Sequence, residues 1–216
     1  MSIKKSFAVF GLGRYGSAIA KELVNSGADV LAVDINEHTV NALAAEIPFA
    51  KCADITDKTV IDELGIGNMD VVIIATAGCL EASVMATMLV KEAGVKKVIV
   101  KAQNEMHSKI LTKVGADRVV IPENESGVRL AKNLLSSGFV DMLELSRGVS
   151  LVEIPLKEEW AGKTLSELNL RKKYSVNVVA LIKNGEVNVN IDPFAPLESD
   201  VAMIVIANTE NLNKIS

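Results

Sequence analysis

Residues 7–23 read FAVFGLGRYGSAIAKEL. An apolar run from Phe7 to Phe10 is followed at once by Gly11, Gly13 and Gly16, and then by apolar residues at three-to-four spacing from Ser17 to Asn25. A GxGxxG that closes a strand and opens a helix has a physical meaning. The glycines allow a tight turn, close approach of backbone to phosphate and close packing of helix on strand, while the amides of the helix N-terminus favour negative charge. Asp34 ends the next apolar run, Val30 to Val33, 18 residues beyond Gly16. A carboxylate there accepts hydrogen bonds from both ribose hydroxyls and repels a 2′-phosphate, so an adenosine with a free 2′-OH is favoured over NADP. Asp34 is read as a ribose ligand and not as a cap.

Outward from this unit, short apolar runs alternate with helical periodicity. Phe49 to Cys52, Val71 to Ala75, Val98 to Val100 and Val119 to Ile121 read as further strands, and Val40 to Ala45, Ser83 to Ala93 and Lys109 to Val114 as helices. Gly27, Gly94 and Gly115 stand where each helix hands over to a strand. Six strands in this rhythm predict an α/β fold, a Rossmann-like doubly wound parallel sheet whose ligands sit beyond the carboxyl ends of the strands. The rhythm stops near the Ser136-Ser137-Gly138 break, so the boundary is placed there: residues 1–137 as a nucleotide-binding domain and 138–216 as a smaller α+β domain. Within the latter, Leu151 to Leu156, Val176 to Ile182, Val187 to Ile191 and Val201 to Ala207 read as strands and Leu165 to Lys173 as one helix, with Asn184-Gly185 as a hairpin turn. A domain of this size is small to stand alone, which predicts a dimer.

Composition excludes several classes. Hydrophobic residues make up 49% and charged residues 23% of 216, a globular balance. The uncharged stretch of the apolar centre, Val71 to Leu80, is far shorter than the roughly 20 residues of a membrane-spanning helix. Met1 to Leu12 imitates a secretory leader through Lys4 and Lys5, but Gly11 and Gly13 cut the run short and it reads as a first strand. A net charge of −4 argues against a nucleic-acid partner. Cys52 and Cys79 stand alone and far apart in sequence, which fits a reducing, cytoplasmic location and no metal or disulfide framework.

Three charges point at the predicted crevice: Arg14 inside the glycine loop, Lys101 just past Val98 to Val100, and Glu123 just past Ile121-Pro122. Arg14 is placed to fold over phosphates, Lys101 to hold a terminal phosphate, and Glu123 to reach a divalent ion or a neighbouring subunit's nucleotide. Catalytic inventory is thin. There is no P-loop, HExxH or GxSxG; His38 and His107 are expected at the surface; Asp54 and Asp57 around Thr56 read as a turn or helix cap before a dyad. An NAD-dependent oxidoreductase or a redox-sensing regulator is the alternative; the chain is read as not an enzyme.

The stretches FAVFGLGRYGSAIAKEL, VLAVDIN, DVVIIATA, VKAQN and GADRVVIPE together resemble the regulatory subunits of bacterial Ktr/Trk potassium-uptake systems, and residues 152–185 with ESDVAMIVIA at 198–207 resemble their TrkA-C domain. The resemblance covers essentially the whole chain. It implies a cytoplasmic gating subunit that forms dimers and an octameric ring on a KtrB/TrkH-like membrane potassium-translocating subunit. ATP would activate and ADP relax it, NAD(H) would share the cleft, and Mg or another divalent cation would accompany the phosphates. The cofactor-contacting set is then Gly11, Gly13, Arg14, Tyr15, Gly16, Asp34, Ile35, Asp54, Ala75, Lys101 and Glu123, with Glu123 also at the metal. The same likeness implies a hinge helix near Glu125 to Leu135, a crossing segment Phe139 to Leu145, Arg129 reaching the partner, and cyclic di-AMP in the C-terminal domain near Arg171, Asn177 and Pro193. Ser199 stands where such proteins often carry Gly, which questions the turn beside that pocket.

Overall fold

The computed structural model describes residues 5–76, 78–135, 141–146, 148–212 and 215. One compact unit runs through Pro122 and a second begins at Glu123. In the first, β1 (Ser6–Phe10), α1 (Arg14–Asn25), β2 (Asp29–Asp34), α2 (Glu37–Leu43), β3 (Ala50–Cys52), α3 (Lys58–Glu63), β4 (Val71–Ile74), α4 (Leu80–Glu92), β5 (Lys97–Lys101), α5 (Glu105–Val114) and β6 (Arg118–Val120) follow one another. The strands form a parallel sheet in the order β3-β2-β1-β4-β5-β6, the Rossmann-like doubly wound arrangement expected.

Burial on both faces explains why these strands read as continuous apolar runs and not as alternation. Ala8, Phe10, Val72 and Ile74 enter one core cluster, while Val9, Val71 and Ile73 enter the cluster on the opposite face. Helix ends follow the glycine punctuation: Gly27, Gly94 and Gly115 adopt φ of 79°, 87° and 116°. α3 was not expected from the sequence. Asp57 caps it, accepting from Thr59 N–H at 2.7 Å, so the capping role read for one of the acids around Thr56 is the one observed.

The second unit holds α6 (Pro122–Leu135) from Glu123 onward, then β7 (Asp141–Ser146), β8 (Val149–Pro155), α7 (Leu165–Leu168), α8 (Leu170–Tyr174), β9 (Asn177–Lys183), β10 (Glu186–Asn188), β11 (Ala202–Asn208) and α9 (Thr209–Leu212). Its sheet runs β10-β9-β11-β8-β7 with antiparallel pairing throughout. β8 and β11 alternate buried and half-buried positions, and their inner residues meet Trp160, Leu168, Leu170 and Leu212 in one core. The division falls one helix earlier than the sequence reading placed it, which sets α6 with the second unit. The break at Ser136 to Gly138, and Phe139 and Val140 of the expected crossing segment, lie outside the described residues; the remainder of that segment is β7.

Three local features have physical causes. The single helix expected over Leu165 to Lys173 is two, because Asn169 takes a left-handed φ of 47° between them; Thr164 and Glu167 form a reciprocal capping box at the start of the first. The hairpin at Asn184-Gly185 is present, with both residues left-handed (φ 53° and 81°) as a two-residue turn between β9 and β10 requires. Ser199 lies in a turn closed by Val201 N–H on the Glu198 carbonyl at 3.3 Å, and its φ is not positive, so no glycine is needed there.

Candidate nucleotide site

The candidate site lies at the carboxyl end of the parallel sheet. Gly11 N–H donates to the Val33 carbonyl at 2.8 Å, which ties the exit of β1 to β2, and Gly11 itself has φ of 85°. A Cβ on Gly11 would lie 2.6 Å from Thr76 Cγ2, and one on Gly16 would lie 1.9 Å from the Gly11 carbonyl oxygen and 3.1 Å from Ala75 Cβ. Both glycines are therefore packing requirements between turn, α1 and the end of β4. Gly13 is different. It precedes α1, no side chain caps that helix, no acid occupies its first turn, and a Cβ on Gly13 would meet nothing within 4 Å. An uncapped helix N-terminus behind an open glycine leaves amide donors that are able to accept an anion such as phosphate.

Asp34 does two things. Its Oδ2 accepts from Leu12 N–H at 2.6 Å and its Oδ1 from Asn36 N–H at 2.8 Å, so it anchors the glycine turn and the start of the β2–α2 loop. That structural role, set aside in reading the sequence, is a correction to it. A carboxylate offers about four lone-pair positions and two are used here, so capacity remains for a ligand. Asn36 in turn caps α2, accepting from His38 N–H at 2.9 Å and Thr39 N–H at 3.3 Å.

Next to this carboxylate lies a cavity of about 100 Å³. Val33, Asp34 and Ile35 line it from the end of β2, Ala53 to Thr56 from the loop after β3, Thr76 from the β4–α4 connection, Ala82 from the first turn of α4, and Gly11 from the turn. Its walls are chiefly aliphatic. Ile35 is 70% exposed, an apolar side chain at the cavity wall open to be covered. Asp54 Oδ1 accepts from the Thr56 hydroxyl at 2.7 Å and Thr56 N–H at 2.9 Å, and these bonds hold its carboxyl below the usual carboxylate range. The Cys52 thiol donates to the Ile35 carbonyl at 3.4 Å, and Cys52 and Cys79 are both free and exposed. Thr76 Oγ1 is buried without a partner in the protein.

Arg14 and Lys101, the cations expected at the phosphates, stand at the start of α1 and the end of β5 and do not line the cavity. Arg14 is exposed at the first position of α1, and Lys101 Nζ stands 5.6 Å from the centroid of the Tyr15 ring. Ala75 packs against the turn and donates its N–H to the Phe10 carbonyl at 2.7 Å, but it does not line the cavity. Glu123 is exposed in the first turn of α6 and belongs to the second unit. Among the described residues no three His, Cys, Asp or Glu side chains gather as a metal site. Ile55, Thr56, Thr76 and Ala82 carry no motif: the first three come from loops and Ala82 from the first turn of α4, and only their place after β3 and β4 marks them.

His38 is exposed as expected, whereas His107 is buried, at 4% exposure. Its Nδ1 accepts from Gln103 N–H at 3.4 Å, and Asn104 caps α5 by accepting from His107 N–H at 2.9 Å. Burial lowers the His107 pKa. The unfolded imidazole takes up a proton near pH 6.5 while the folded one stays neutral to lower pH, so stability is lost as pH falls below about 6.5. The thermal midpoint of the natural chain should therefore drop between pH 7 and pH 5 more steeply than that of His107→Leu; parallel slopes would contradict the assignment.

Residues 7–122 match the TrkA-N domain family and residues 149–216 the TrkA-C domain family. Ktr system potassium uptake protein C of Bacillus subtilis is 41% identical over 98% of this chain and 96% of its own length. The chain belongs to the Ktr family. Other Ktr-family relatives agree: Ktr system potassium uptake protein A of Vibrio alginolyticus is 38% identical, again over 98% of this chain and 96% of its own. Among solved structures, the GsuK channel superposes on 99% of this chain with a TM-score of 0.69 at 16% identity, a likeness of fold. This chain spans 39% of that channel's chain. No described helix of the Ktr-family chain is long and apolar enough to cross a membrane. In its TrkA-C part, Arg171 on α8, Asn177 at the start of β9 and Pro193 are exposed, and the Pro193 carbonyl accepts from Ser166 N–H at 3.0 Å.

Proposed function

We propose that the chain is the nucleotide-responsive gating subunit of a potassium-uptake system, with an adenosine nucleotide in the cleft beside Asp34. The reading is carried by the open, uncapped phosphate seat at Gly13 standing next to a carboxylate with spare lone pairs. The aliphatic cavity takes the base between Ile35 and Thr76, the remaining acceptor positions of Asp34 take the ribose hydroxyls, and α1 with Arg14 and Lys101 takes the phosphates. ATP, ADP and NAD(H) all present this adenosine half. A divalent ion would be held mainly by phosphate oxygens, with Glu123 as one carboxylate, since magnesium keeps several waters and needs few protein ligands.

Function then follows from differential affinity. A nucleotide that binds one ring shape better than another shifts their populations, and one that binds both equally shifts nothing. In this proposal, dimers assemble into a ring, octameric by family likeness, on the cytoplasmic face of a KtrB/TrkH-like pore subunit, and no bond in the nucleotide is made or broken. Cyclic di-AMP near Arg171, Asn177 and Pro193 is a second, separate input. Titrating the purified chain with ATP, ADP and NADH, and measuring potassium flux through the assembled system under each, tests the proposal. Saturable binding with flux that differs between ATP and ADP is the expected result; equal flux under all nucleotides would remove the switch.

A further inference from the structure

Tyr15 lies between Gly13 and Gly16, where a bulky side chain has nothing to do in forming the turn. Its ring instead meets Lys101 from the end of β5, with the ammonium 5.6 Å from the ring centroid. In the sheet order β1-β4-β5, this contact reaches from the helix after β1 across the end of β4 to the end of β5. Both side chains are half-buried. A lysine is a compact charge on a flexible four-carbon stem, so every contact it makes bears on where the ammonium lies, and the Tyr15 ring is one such contact. An aromatic face attracts it electrostatically, and more strongly where water is partly excluded.

We propose that Tyr15 is a positioning residue: its ring holds the Lys101 ammonium beside the phosphate seat of α1, and this pairing sets the preference of the site for nucleotides carrying more phosphate charge. The inference rests on the adenosine-nucleotide reading of the cleft. It assigns Tyr15 no contact with base or ribose, which lie on the Asp34 side of the turn. The phenol oxygen plays no part, so a phenyl ring serves equally. Lys101, held on the ring, meets only the later phosphates, and AMP therefore gains little from the pair while ATP gains much.

The experiment compares AMP and ATP affinities in the full chain, in Tyr15→Phe, Tyr15→Leu, Lys101→Met and the Tyr15→Leu/Lys101→Met double variant. Tyr15→Leu should weaken ATP about three- to tenfold and leave AMP within about twofold, the size of one partly desolvated cation–π contact. Tyr15→Phe should match the natural chain, and the double variant should bind ATP no more weakly than Lys101→Met. Tyr15→Met, which also lacks a π face, provides the same comparison should the leucine variant fail to fold. Equal losses for AMP and ATP, or losses that multiply in the double variant, overturn the proposal while leaving the nucleotide site in place. A natural chain that binds neither nucleotide overturns the site reading itself, and this inference with it.

Discussion

Asp34→Ala is expected to weaken adenosine-nucleotide binding by about 30- to 1,000-fold, because two hydrogen bonds from ribose hydroxyls to a charged acceptor contribute roughly 1.5–3 kcal/mol each and part of that is recovered by water. The same change destabilises the fold. Leu12 is buried, and its N–H loses the Asp34 carboxylate 2.6 Å away, leaving a donor that costs about 1–3 kcal/mol when unsatisfied. Asp34→Asn separates the two effects. Its amide oxygen can satisfy one of the Leu12 and Asn36 amides, but the group no longer offers an anionic acceptor to both hydroxyls, so binding should fall while most of the thermal midpoint is kept. Calorimetric titration and a denaturation curve on each variant read the two quantities. Unchanged affinity in Asp34→Asn would mean that the ribose sits elsewhere.

Gly16→Ala is expected to cost at least about 3 kcal/mol of stability, more than overpacking in a core commonly does. The added Cβ would lie 1.9 Å from the Gly11 carbonyl oxygen, a backbone atom with no rotamer to escape into, while Ala75 Cβ stands 3.1 Å away on the other side. Either α1 moves off the sheet or the turn opens. Gly13→Ala provides the contrast, since its Cβ meets nothing and its φ of −65° suits any residue. That variant should fold within about 1 kcal/mol of the natural chain, the scale of a cap substitution, and lose nucleotide affinity because the methyl projects into the phosphate seat. Urea denaturation distinguishes them. Two variants of equal stability would contradict the packing argument.

These contrasts mark how far the residues alone reach. The glycine turn, the parallel sheet and the hairpin at Asn184-Gly185 were legible because each rests on a local rule: uninterrupted apolar strands, left-handed glycines at helix ends, a two-residue turn. Elements that depend on a single residue's surroundings were not. α3 has six residues, too few for a periodic apolar face, and only its cap at Asp57 announced it. Asn169 is an ordinary helix residue until its left-handed φ divides the helix in two. His107 looked solvent-facing at a helix start, yet Leu111 one turn on is wholly buried, and that spacing of four was the available sign that both face inward.

The site divides in the same way. Gly11, Gly13, Gly16 and Asp34 lie within one motif, so their convergence could be read directly. Thr76 and the loop after β3 reach the cavity only through the sheet order, which places the ends of β3 and β4 on either side of β2 and β1. The double duty of Asp34 is likewise a matter of distance: a carboxylate at the end of β2 reads as a ribose ligand, and only the 2.6 Å bond to Leu12 reveals that it also holds the turn.

An adenosine held by Asp34 in the cleft beside the glycine turn would be visible in a crystal structure of the protein grown with excess ADP. The base is expected between Ile35 and Thr76, both ribose hydroxyls within hydrogen-bonding distance of the Asp34 carboxylate, and the first phosphate over Gly13. An empty cleft, or a nucleotide bound with its ribose turned away from Asp34, would contradict it.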